Sequence, residues 1–349
     1  MSYLPGRCRR AGVLVAVLGV AVLVGCSAPP ADQQTEQDAR SRENCGIDVT
    51  VDGPPERVYA AYQPAVEIAH ALGITDRLVG TAYLDAEVLP EYVEQQEQVD
   101  YVAELPSREA LLDTEPDFVL SGFNGLFAEG SSSSLGTRAS LRELGISSWI
   151  LSALCPSEDG LTDCAIEPGS VTVDSIYQDL RDLGALFEVP DNAEQVISDL
   201  KGRISTVTEK VSDAERPSVA IVSPQEDGGY GVASGVDFAD RIIEYAGGSN
   251  AFGDLTEQRN VEISVEELAK RDPDVILAET CCSADLTPAD AASEVAAVED
   301  DKALGGVTAV TEGEVHPFLF ANRSAGVRAA HSIELVASLI HPDLVDSDV

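Results

Sequence analysis

The stretch PSREALLDTEPDFVL, residues 106–120, is repeated in pattern 157 residues later by ISVEELAKRDPDVIL, residues 263–277. Each copy has a serine suited to cap a helix, a short helical run, a Pro-Asp pair and an apolar stretch typical of a buried strand. The spacing is far longer than the roughly 20–50 residues of solenoid repeats. The repeat therefore predicts two similar lobes in a chain of 349 residues,.

Strand and helix patterns alternate along both predicted lobes. In the first lobe an apolar run at residues 58–62 precedes a helix pattern from Pro64 to Gly73, and strand patterns recur in DFVLSG and SSWIL. The second lobe opens with RPSVAIVS and ends in an amphipathic helix pattern with Ile333, Val336, Leu339 and Ile340 on one face. This alternation predicts parallel sheets covered by helices on both faces, an α/β fold class.

One long helix is expected between the lobes. From Asn192 to about Asp213 there is no proline, and Val196, Leu200, Ile204 and Val207 form an apolar stripe at helical spacing,. Such a helix would extend roughly 33 Å, enough to cross from one lobe to the other. We therefore predict an N-terminal α/β lobe at 54–170, connecting helices at 171–215 and a C-terminal α/β lobe at 216–349.

The first 25 residues read as a secretory signal peptide. Arg7, Arg9 and Arg10 precede an apolar run at 11–25 that is too short for a typical membrane span,. The run ends in LVGC, which resembles a bacterial lipobox and implies cleavage before Cys26 and lipidation of its sulfur. Residues 27–44 are polar and contain no aromatic residue, so we predict a disordered tether over 26–53,. The folded body is expected on the outer face of the cell membrane.

The charge balance is strongly acidic. There are 22 basic and 61 acidic residues, a formal net charge of −39. Such a surface repels nucleic acid and anionic lipid head groups, and no basic patch offsets it. Nucleic-acid binding is excluded, and a halophilic source would explain the acidity.

Five cysteines remain once Cys8 and Cys26 are set aside, namely Cys45, Cys155, Cys164, Cys281 and Cys282. An exported compartment permits disulfides. Cys155 can close a short loop with Cys164, or Cys45 can pair with Cys155 instead. The adjacent pair at 281–282 has no histidine at suitable spacing for a zinc site, so we interpret it as structural or idle. No metal-ligating residue is predicted.

An enzyme is not expected. The chain has no G-x-S-x-G elbow, no H-E-x-x-H, no P-loop and no G-x-G-x-x-G opening a helix,. No catalytic residue is therefore assigned.

Several segments in order carry a family resemblance: the lipobox, PPERVYAAYQPAVEIAHALGITDRLVGTAYLD, LPSREALLDTEPDFVLSGF, IIEYAGGSNAFGDL, ISVEELAKRDPDVILAE and VRAAHSIELVASLIHPD. Together they resemble the substrate-binding lipoproteins of bacterial ABC importers for ferric siderophores, haem and cobalamin. The resemblance implies two α/β lobes bridged by one long helix, with a ligand cleft between the lobes. It also implies a monomer that delivers its ligand to an ABC permease dimer and its ATPase.

The resemblance gives the repeated helix a role. Family members present a surface glutamate near the start of this helix in each lobe, and the pair engages the two permease subunits. These positions are Glu109 and Glu266 here. Each is also expected at the second helical position, where a carboxylate favours the helix dipole by about 0.3–1 kcal/mol. The same offset in both lobes suits a twofold-symmetric partner and favours docking.

The ligand-binding residues are expected in loops after strands, where open parallel sheets bind ligands. Because aromatic residues make up only 5% of the chain, those in such loops stand out. The candidates are Tyr62, Gln63, Tyr83, Phe123, Asn124, Tyr230, Phe320 and Arg323. Trp149 lies inside an apolar strand pattern and is assigned to the core.

The expected ligand is an iron chelate, and no resident cofactor is predicted. A trianionic catecholate complex would need several cations in the cleft of so acidic a protein, and the sequence offers one candidate, Arg323. A neutral or cationic ferric hydroxamate fits better. Cobalamin stays open, as does haem, since Tyr62, Tyr83 or Tyr230 could supply an axial ligand. A scavenger or sensor that works without a permease is the remaining alternative.

Overall fold

A computed structural model of the protein describes residues 40–128, 134–155, 171–226 and 228–346. The predicted signal peptide, the predicted lipidation site Cys26 and Cys164 lie outside these residues. Among the helices in the described ranges, none combines the length and the apolar composition that a membrane crossing requires.

The first lobe is built around a five-stranded sheet. Its elements are β1 (Ser41–Asn44), β2 (Ile47–Thr50), β3 (Val58–Ala61), α1 (Gln63–Ala71), β4 (Leu78–Ala82), α2 (Val93–Gln96), β5 (Tyr101–Val102), α3 (Arg108–Asp113), β6 (Phe118–Ser121), α4 (Arg138–Arg142) and β7 (Ser147–Ile150). Strands β5, β4, β3, β6 and β7 lie side by side in that order, and all pairs are parallel. Alternate residues of β3 and β6 enter two different apolar clusters, so both faces of the sheet are covered,.

The second lobe follows two connecting helices, α5 (Val173–Leu186) and α6 (Pro190–Val211). Its elements are β8 (Ser218–Pro224), β9 (Tyr230–Ala233), α7 (Phe238–Tyr245), β10 (Ser249–Asn250), β11 (Asn260–Ile263), α8 (Val265–Arg271), β12 (Val275–Thr280), α9 (Ala292–Glu299), α10 (Thr308–Glu312), β13 (Val315–Leu319) and α11 (Ala329–Ile340). Strands β10, β8, β12 and β13 pair in parallel. Strand β9 is antiparallel to β8 because only a short turn joins them, and β11 is antiparallel to β9,.

Helix α6 is the long helix that the sequence predicts. Its 22 residues bury an apolar stripe that consists of Ala193, Ile197, Leu200, Ile204, Val207 and Val211. The helix packs against α5 and α1 and also against α7 and α11 of the second lobe. The predicted fold class, two α/β lobes bridged by one long helix, is confirmed.

The repeated segment forms α3 with β6 in the first lobe and α8 with β12 in the second. The predicted caps are present: Ser107 Oγ accepts from the Ala110 amide at 3.1 Å, and Ser264 Oγ accepts from the Glu267 amide at 3.3 Å. The repeated aspartates also share a structural role. Asp117 accepts from backbone amides just before β3, and Asp274 accepts from the amide that opens β8. In each lobe the repeated aspartate therefore links the start of one strand to the start of its neighbour, β6 to β3 in the first lobe and β12 to β8 in the second.

Part of the predicted tether is folded. We expected disorder up to residue 53, but β1 and β2 form an antiparallel hairpin. The side chain of Asn44 is buried and exchanges hydrogen bonds of 2.7 and 3.0 Å with the backbone of Ile150. A disulfide between Cys45 and Cys155 ties the hairpin to the first lobe. This long-range pairing stabilises a segment whose composition alone favours disorder.

Trp149 lies in the core as predicted. It is 1% exposed in β7, and its indole Nε1 donates to Asp179 Oδ1 at 3.0 Å. Asp179 belongs to α5, so the contact fixes that helix against the first sheet.

Candidate functional site

Three of the predicted residues form an aromatic wall, which consists of Tyr62, Tyr83 and Phe123. They follow the carboxyl ends of β3, β4 and β6, three neighbouring parallel strands. The rings of Tyr62 and Tyr83 are 4.9 Å apart between centroids, and those of Tyr62 and Phe123 are 5.7 Å apart. All three residues are half-buried, so the wall keeps solvent-accessible surface for a ligand,.

The backbone under this wall is unusual. Tyr62 has a φ of 72° and Tyr83 a φ of 57°, in the left-handed region that disfavours side chains with a Cβ atom,. Each such residue costs on the order of 1–3 kcal/mol, and such residues cluster at ligand sites. Hydrogen bonds from their amides to Ala82 and Val102 carbonyls hold both loops in place. The backbone therefore orients both rings.

Gln63 lies behind the wall and is fully buried. Its Oε1 accepts from the amides of Asp85 and Ala86 at 3.0 and 3.2 Å, and its Nε2 donates to Glu67 Oε1 at 2.8 Å. Its polar atoms thus hold the loop that follows Tyr83. The side chain of Asn124, the next candidate, is not among those that the structure describes.

Tyr230 is separate from the wall. We expected it in a loop that lines the cleft, but it is the first residue of β9. Its ring is 3% exposed and packs in an apolar cluster of the second lobe with Phe252, and its hydroxyl donates to Asp301 Oδ2 at 3.1 Å. The reason is that the pairing of β9 with β8 begins at this residue, which lies opposite Pro224.

The second lobe contributes Phe320, which follows the carboxyl end of β13 and is half-buried. The guanidinium group of Arg323 lies 4.8 Å from the centre of its ring,. Arg323 itself is 2% exposed and pairs with Asp237 and Glu279, each at 2.9 Å. Its charge is therefore neutralised inside the protein, and its visible effect is to position Phe320.

The buried carboxylates around Arg323 differ in their ionisation. Burial opposes the charge of Asp237, but Arg323 and Arg259 outweigh it and lower the pKa of this group. Burial raises the pKa of Glu279 despite its pairing with Arg323. Within the described residues, Glu279 Oε2 is buried without a hydrogen-bond partner. Of the two carboxyl groups, Asp237 is therefore the one whose charged form the surrounding arginines stabilise more strongly,.

The two lobes meet between the wall and Phe320. Ala86, three residues after Tyr83, packs with Leu319 and Ala321, which flank Phe320. The amide of Cys282 donates to the Asp85 carbonyl at 3.2 Å across the same junction. Tyr83 of the aromatic wall and Phe320 are therefore each within three residues of a contact between the lobes.

Asp85 is a polar residue of the junction that sequence reasoning missed. It is 5% exposed, and burial raises its pKa to about 7 although Arg259 and Arg328 act in the opposite direction. The signal was present in TAYLD, where an aspartate lies in the loop that follows a strand end, three residues after Ala82,.

The substitution Asp85→Asn is expected to flatten the pH dependence of the free energy of unfolding between pH 3.8 and about 7. A carboxyl group whose pKa is raised by folding stabilises the fold below its ordinary pKa, and this contribution is lost as pH rises through the folded value. The slope in this window changes by on the order of 1 kcal/mol per pH unit. Urea unfolding at several pH values measures the slope, and an identical slope in the variant would contradict the assignment.

A separate cavity of about 720 Å³ lies along the long helix. Its lining includes Tyr92, Leu200, Arg203 and Glu334, and the ion pair of the last two spans 2.5 Å. Its lining contains no residue of the aromatic wall, so the cavity is distinct from the wall.

Glu109 and Glu266 occupy equivalent positions. Each is the second residue of its helix, α3 or α8, and both side chains are exposed. Because each helix runs antiparallel to the strand that follows it, both glutamates lie at the carboxyl edge of their sheets. Within the described part of the chain neither is hydrogen-bonded or ion-paired through its side chain.

Two α/β lobes, a bridging helix and an aromatic wall at the strand ends of the first lobe are the features of a two-lobed binding protein. The chain belongs to the family described as periplasmic binding protein, whose model matches residues 58–316. This is a family of substrate-binding proteins rather than enzymes.

Individual relatives agree with this assignment. The chain is 24% identical over 350 residues to the uncharacterized ABC transporter substrate-binding lipoprotein YvrC of Bacillus subtilis (strain 168), covering 96% of this chain and 98% of the relative. A solved periplasmic binding protein from Veillonella parvula has a TM-score of 0.73 at 21% identity, covering 86% of this chain and 97% of that one. An ABC-type Fe3+-hydroxamate transport system structure from Saccharomonospora viridis has a TM-score of 0.67 at 26% identity, covering 86% and 98%.

Proposed function

We propose that this chain is an extracytoplasmic substrate-binding lipoprotein that captures a ferric siderophore, of hydroxamate type, and delivers it to an ABC permease for iron uptake. The observation that carries the proposal is the aromatic wall at the carboxyl ends of three parallel strands. Ferric hydroxamates offer a compact shape with apolar arms, and such a wall provides matching surface. The Saccharomonospora viridis structure supports the same ligand class.

The charges near the cleft favour a neutral or cationic ligand over an anionic one. Arg323 and Arg259 both pair with Asp237 at 2.9 Å, and Arg328 pairs with Glu67. These guanidinium charges are balanced within the protein, and the chain as a whole carries a formal charge of −39. A trianionic catecholate complex would therefore meet little compensating charge.

Haem is the nearest alternative, since a tyrosine can act as its axial ligand. Burial raises the pKa of Tyr83, and the charge of Asp85 raises it further. A raised pKa disfavours the tyrosinate form that binds ferric iron. This argues for a ligand whose iron is already enclosed by its chelator. Cobalamin, and capture without a permease, are the other outcomes to be tested.

Delivery requires an anchor and a docking surface. We assign the anchor to a lipid on Cys26, supported by the lipobox and by the lipoprotein from Bacillus subtilis. We assign docking to Glu109 and Glu266, which are exposed and equivalent in the two lobes. A monomer presents both glutamates to a permease dimer and its ATPase.

The binding test uses the full chain in mild detergent with a ferric hydroxamate, a ferric catecholate, haem and cobalamin, measured by calorimetry and native mass spectrometry. We expect one ferric hydroxamate per chain, and each of Tyr83→Ala and Phe123→Ala is expected to weaken binding by about tenfold or more because aromatic contact area is lost. Tyr245→Ala is the matched control, since Tyr245 is a half-buried tyrosine on α7 outside the wall. Exclusive binding of haem, cobalamin or catecholate would overturn the ligand class, and equal losses in all three variants would overturn the site.

A further inference from the structure

Two consecutive cysteines lie at the junction of the lobes. Cys281 and Cys282 follow β12 directly and are joined in a disulfide. Cys281 is half-buried and Cys282 is exposed. The sequence had suggested an idle or structural pair, and its surroundings indicate otherwise.

The pair contacts the opposite lobe at the loop after β4, which carries Tyr83 of the aromatic wall. The Cys282 amide donates to the Asp85 carbonyl at 3.2 Å, and Cys281 Sγ lies 3.7 Å from Asp85 Oδ1. Asp85 is two residues after Tyr83, and its own amide is held by Gln63. These contacts place the cysteine pair against the backbone that follows Tyr83.

The backbone at Cys282 is in a conformation that a free cysteine disfavours. Its φ is 84°, in the region that residues with a Cβ atom rarely adopt,. A disulfide between neighbours closes a small ring that limits rotation of the peptide between them. Once this ring opens, Cys282 is free to leave the positive φ region, and its hydrogen bond to Asp85 changes with it.

We propose that the Cys281–Cys282 disulfide is a thiol–disulfide exchange site for dithiols outside the membrane, and that its opening loosens the lobe junction and speeds ligand release. The part that concerns ligand release rests on the proposed function, whereas the exchange chemistry does not.

The exchange proceeds in two balanced steps. A thiolate of the dithiol attacks the exposed Sγ of Cys282, a mixed disulfide forms, and the electron pair of the broken S–S bond leaves on the sulfur of Cys281, which takes a proton. The second thiolate of the dithiol then attacks the first sulfur of the same dithiol, which is bonded to Cys282 in the mixed disulfide. The bond to Cys282 breaks, and Cys282 leaves as a thiolate. The dithiol is oxidised to a cyclic disulfide, and the cysteine pair gains two electrons.

Asp85 assists the first step by its position. Because burial raises its pKa to about 7, part of the molecules hold a proton on this carboxyl group near neutral pH. The protonated carboxyl can donate a hydrogen bond to the departing sulfur of Cys281. A charged carboxylate at the same place would oppose the departure.

The second disulfide is an internal control. Cys45 and Cys155 are 110 residues apart and both are half-buried. Their bond closes a long loop, and the adjacent buried Asn44 holds the hairpin in place even when the bond is attacked. We expect it to resist reductant concentrations that open the exposed pair.

The first experiment treats the folded full chain with graded dithiothreitol, blocks free thiols by alkylation and maps them by peptide mass spectrometry. Cys281 and Cys282 are expected to be modified at a dithiothreitol concentration about tenfold lower than Cys45 and Cys155. Thiols at 281–282 that need no reductant, or a pair that opens only together with Cys45–Cys155, would overturn the proposal.

The second experiment measures the effect on the junction by hydrogen exchange. After selective reduction, peptides covering 84–87 and 281–286 are expected to exchange about threefold faster or more. The double variant Cys281→Ser with Cys282→Ser is expected to exchange at the same rate as the reduced protein, and dithiothreitol is expected to leave that rate unchanged. Unchanged exchange in both samples would refute the coupling, whether or not a ligand is known.

The third experiment compares dissociation of a ferric hydroxamate from the oxidised and selectively reduced protein. Faster release after reduction supports the full proposal, and equal rates overturn its ligand part. If no ferric hydroxamate binds to either form, the proposed function fails, and the first two experiments still judge the exchange site on their own.

Discussion

Replacing Glu109 and Glu266 together by alanine is expected to abolish iron uptake while leaving ligand affinity unchanged. Both carboxylates are exposed, at the same position of equivalent helices, and neither is paired within the described residues. If each meets a cation on one permease subunit, losing both contacts removes about 3 kcal/mol or more, a roughly 100-fold loss of docking affinity. Uptake of a radioactive iron chelate by cells that carry each variant measures the effect.

The matched control replaces Glu56 and Glu215 instead. These glutamates are also exposed, and each lies just before the first strand in chain order of its lobe's main sheet, β3 or β8, at the opposite edge of that sheet. The control should leave uptake intact, since it makes the same change in charge away from the docking edge. Equal uptake in the two double variants would refute docking. A weaker ligand affinity in the variant that lacks Glu109 and Glu266 would show that these glutamates contribute to ligand binding instead.

Arg328→Ala is expected to destabilise the protein more than any single surface substitution. Arg328 precedes α11 in the second lobe and pairs with Glu67 of α1 in the first, with both side chains at least 96% buried. It also donates to the Glu87 carbonyl at 2.7 Å. Removing one partner of a buried pair leaves an uncompensated charge, so the free energy of unfolding should fall by about 3–5 kcal/mol. Urea denaturation followed by circular dichroism measures this loss.

Two further variants isolate the cause of the effect. Arg203→Ala breaks a more exposed pair with Glu334 on α11, and it should cost about 1 kcal/mol or less,. The double substitution Glu67→Gln with Arg328→Met removes both buried charges and should recover most of the loss. A loss in Arg328→Ala no larger than in Arg203→Ala would show that this pair does not hold the lobes together.

The local pattern of the sequence was sufficient for the class of fold. Ser107 and Ser264 cap their helices as predicted. Helix α6 has the predicted length and buries Leu200, Ile204 and Val207 of the predicted stripe, with Ile197 buried in place of Val196. These features depend on residues within a few positions of one another, through helix periodicity and capping hydrogen bonds. The family resemblance came from several segments that occur in a fixed order, because such a series is far more specific than any one motif.

Loop positions were predictable only in part. The aromatic wall joined three residues that follow neighbouring strands, because parallel strands bring their carboxyl ends to one edge. Tyr230 also comes after a strand, but it begins the next strand, β9, and packs inside the second lobe rather than in a loop. The position of Tyr230 depends on where the pairing of β8 with β9 begins, not on its residue type. The pattern of apolar residues in a strand does not show where its pairing starts or stops.

The sequence alone determined the alternation of strands and helices, the two-lobed plan, the acidic surface and the absence of common catalytic motifs. It could not determine that Cys45 pairs with Cys155, that Arg323 is buried against Asp237 and Glu279, or that Cys282 meets Asp85 across the lobes. These contacts join residues from 44 to 197 positions apart. Periodicity describes neighbours along the chain, whereas such pairings arise only when packing brings distant segments together and burial requires a partner for each polar group.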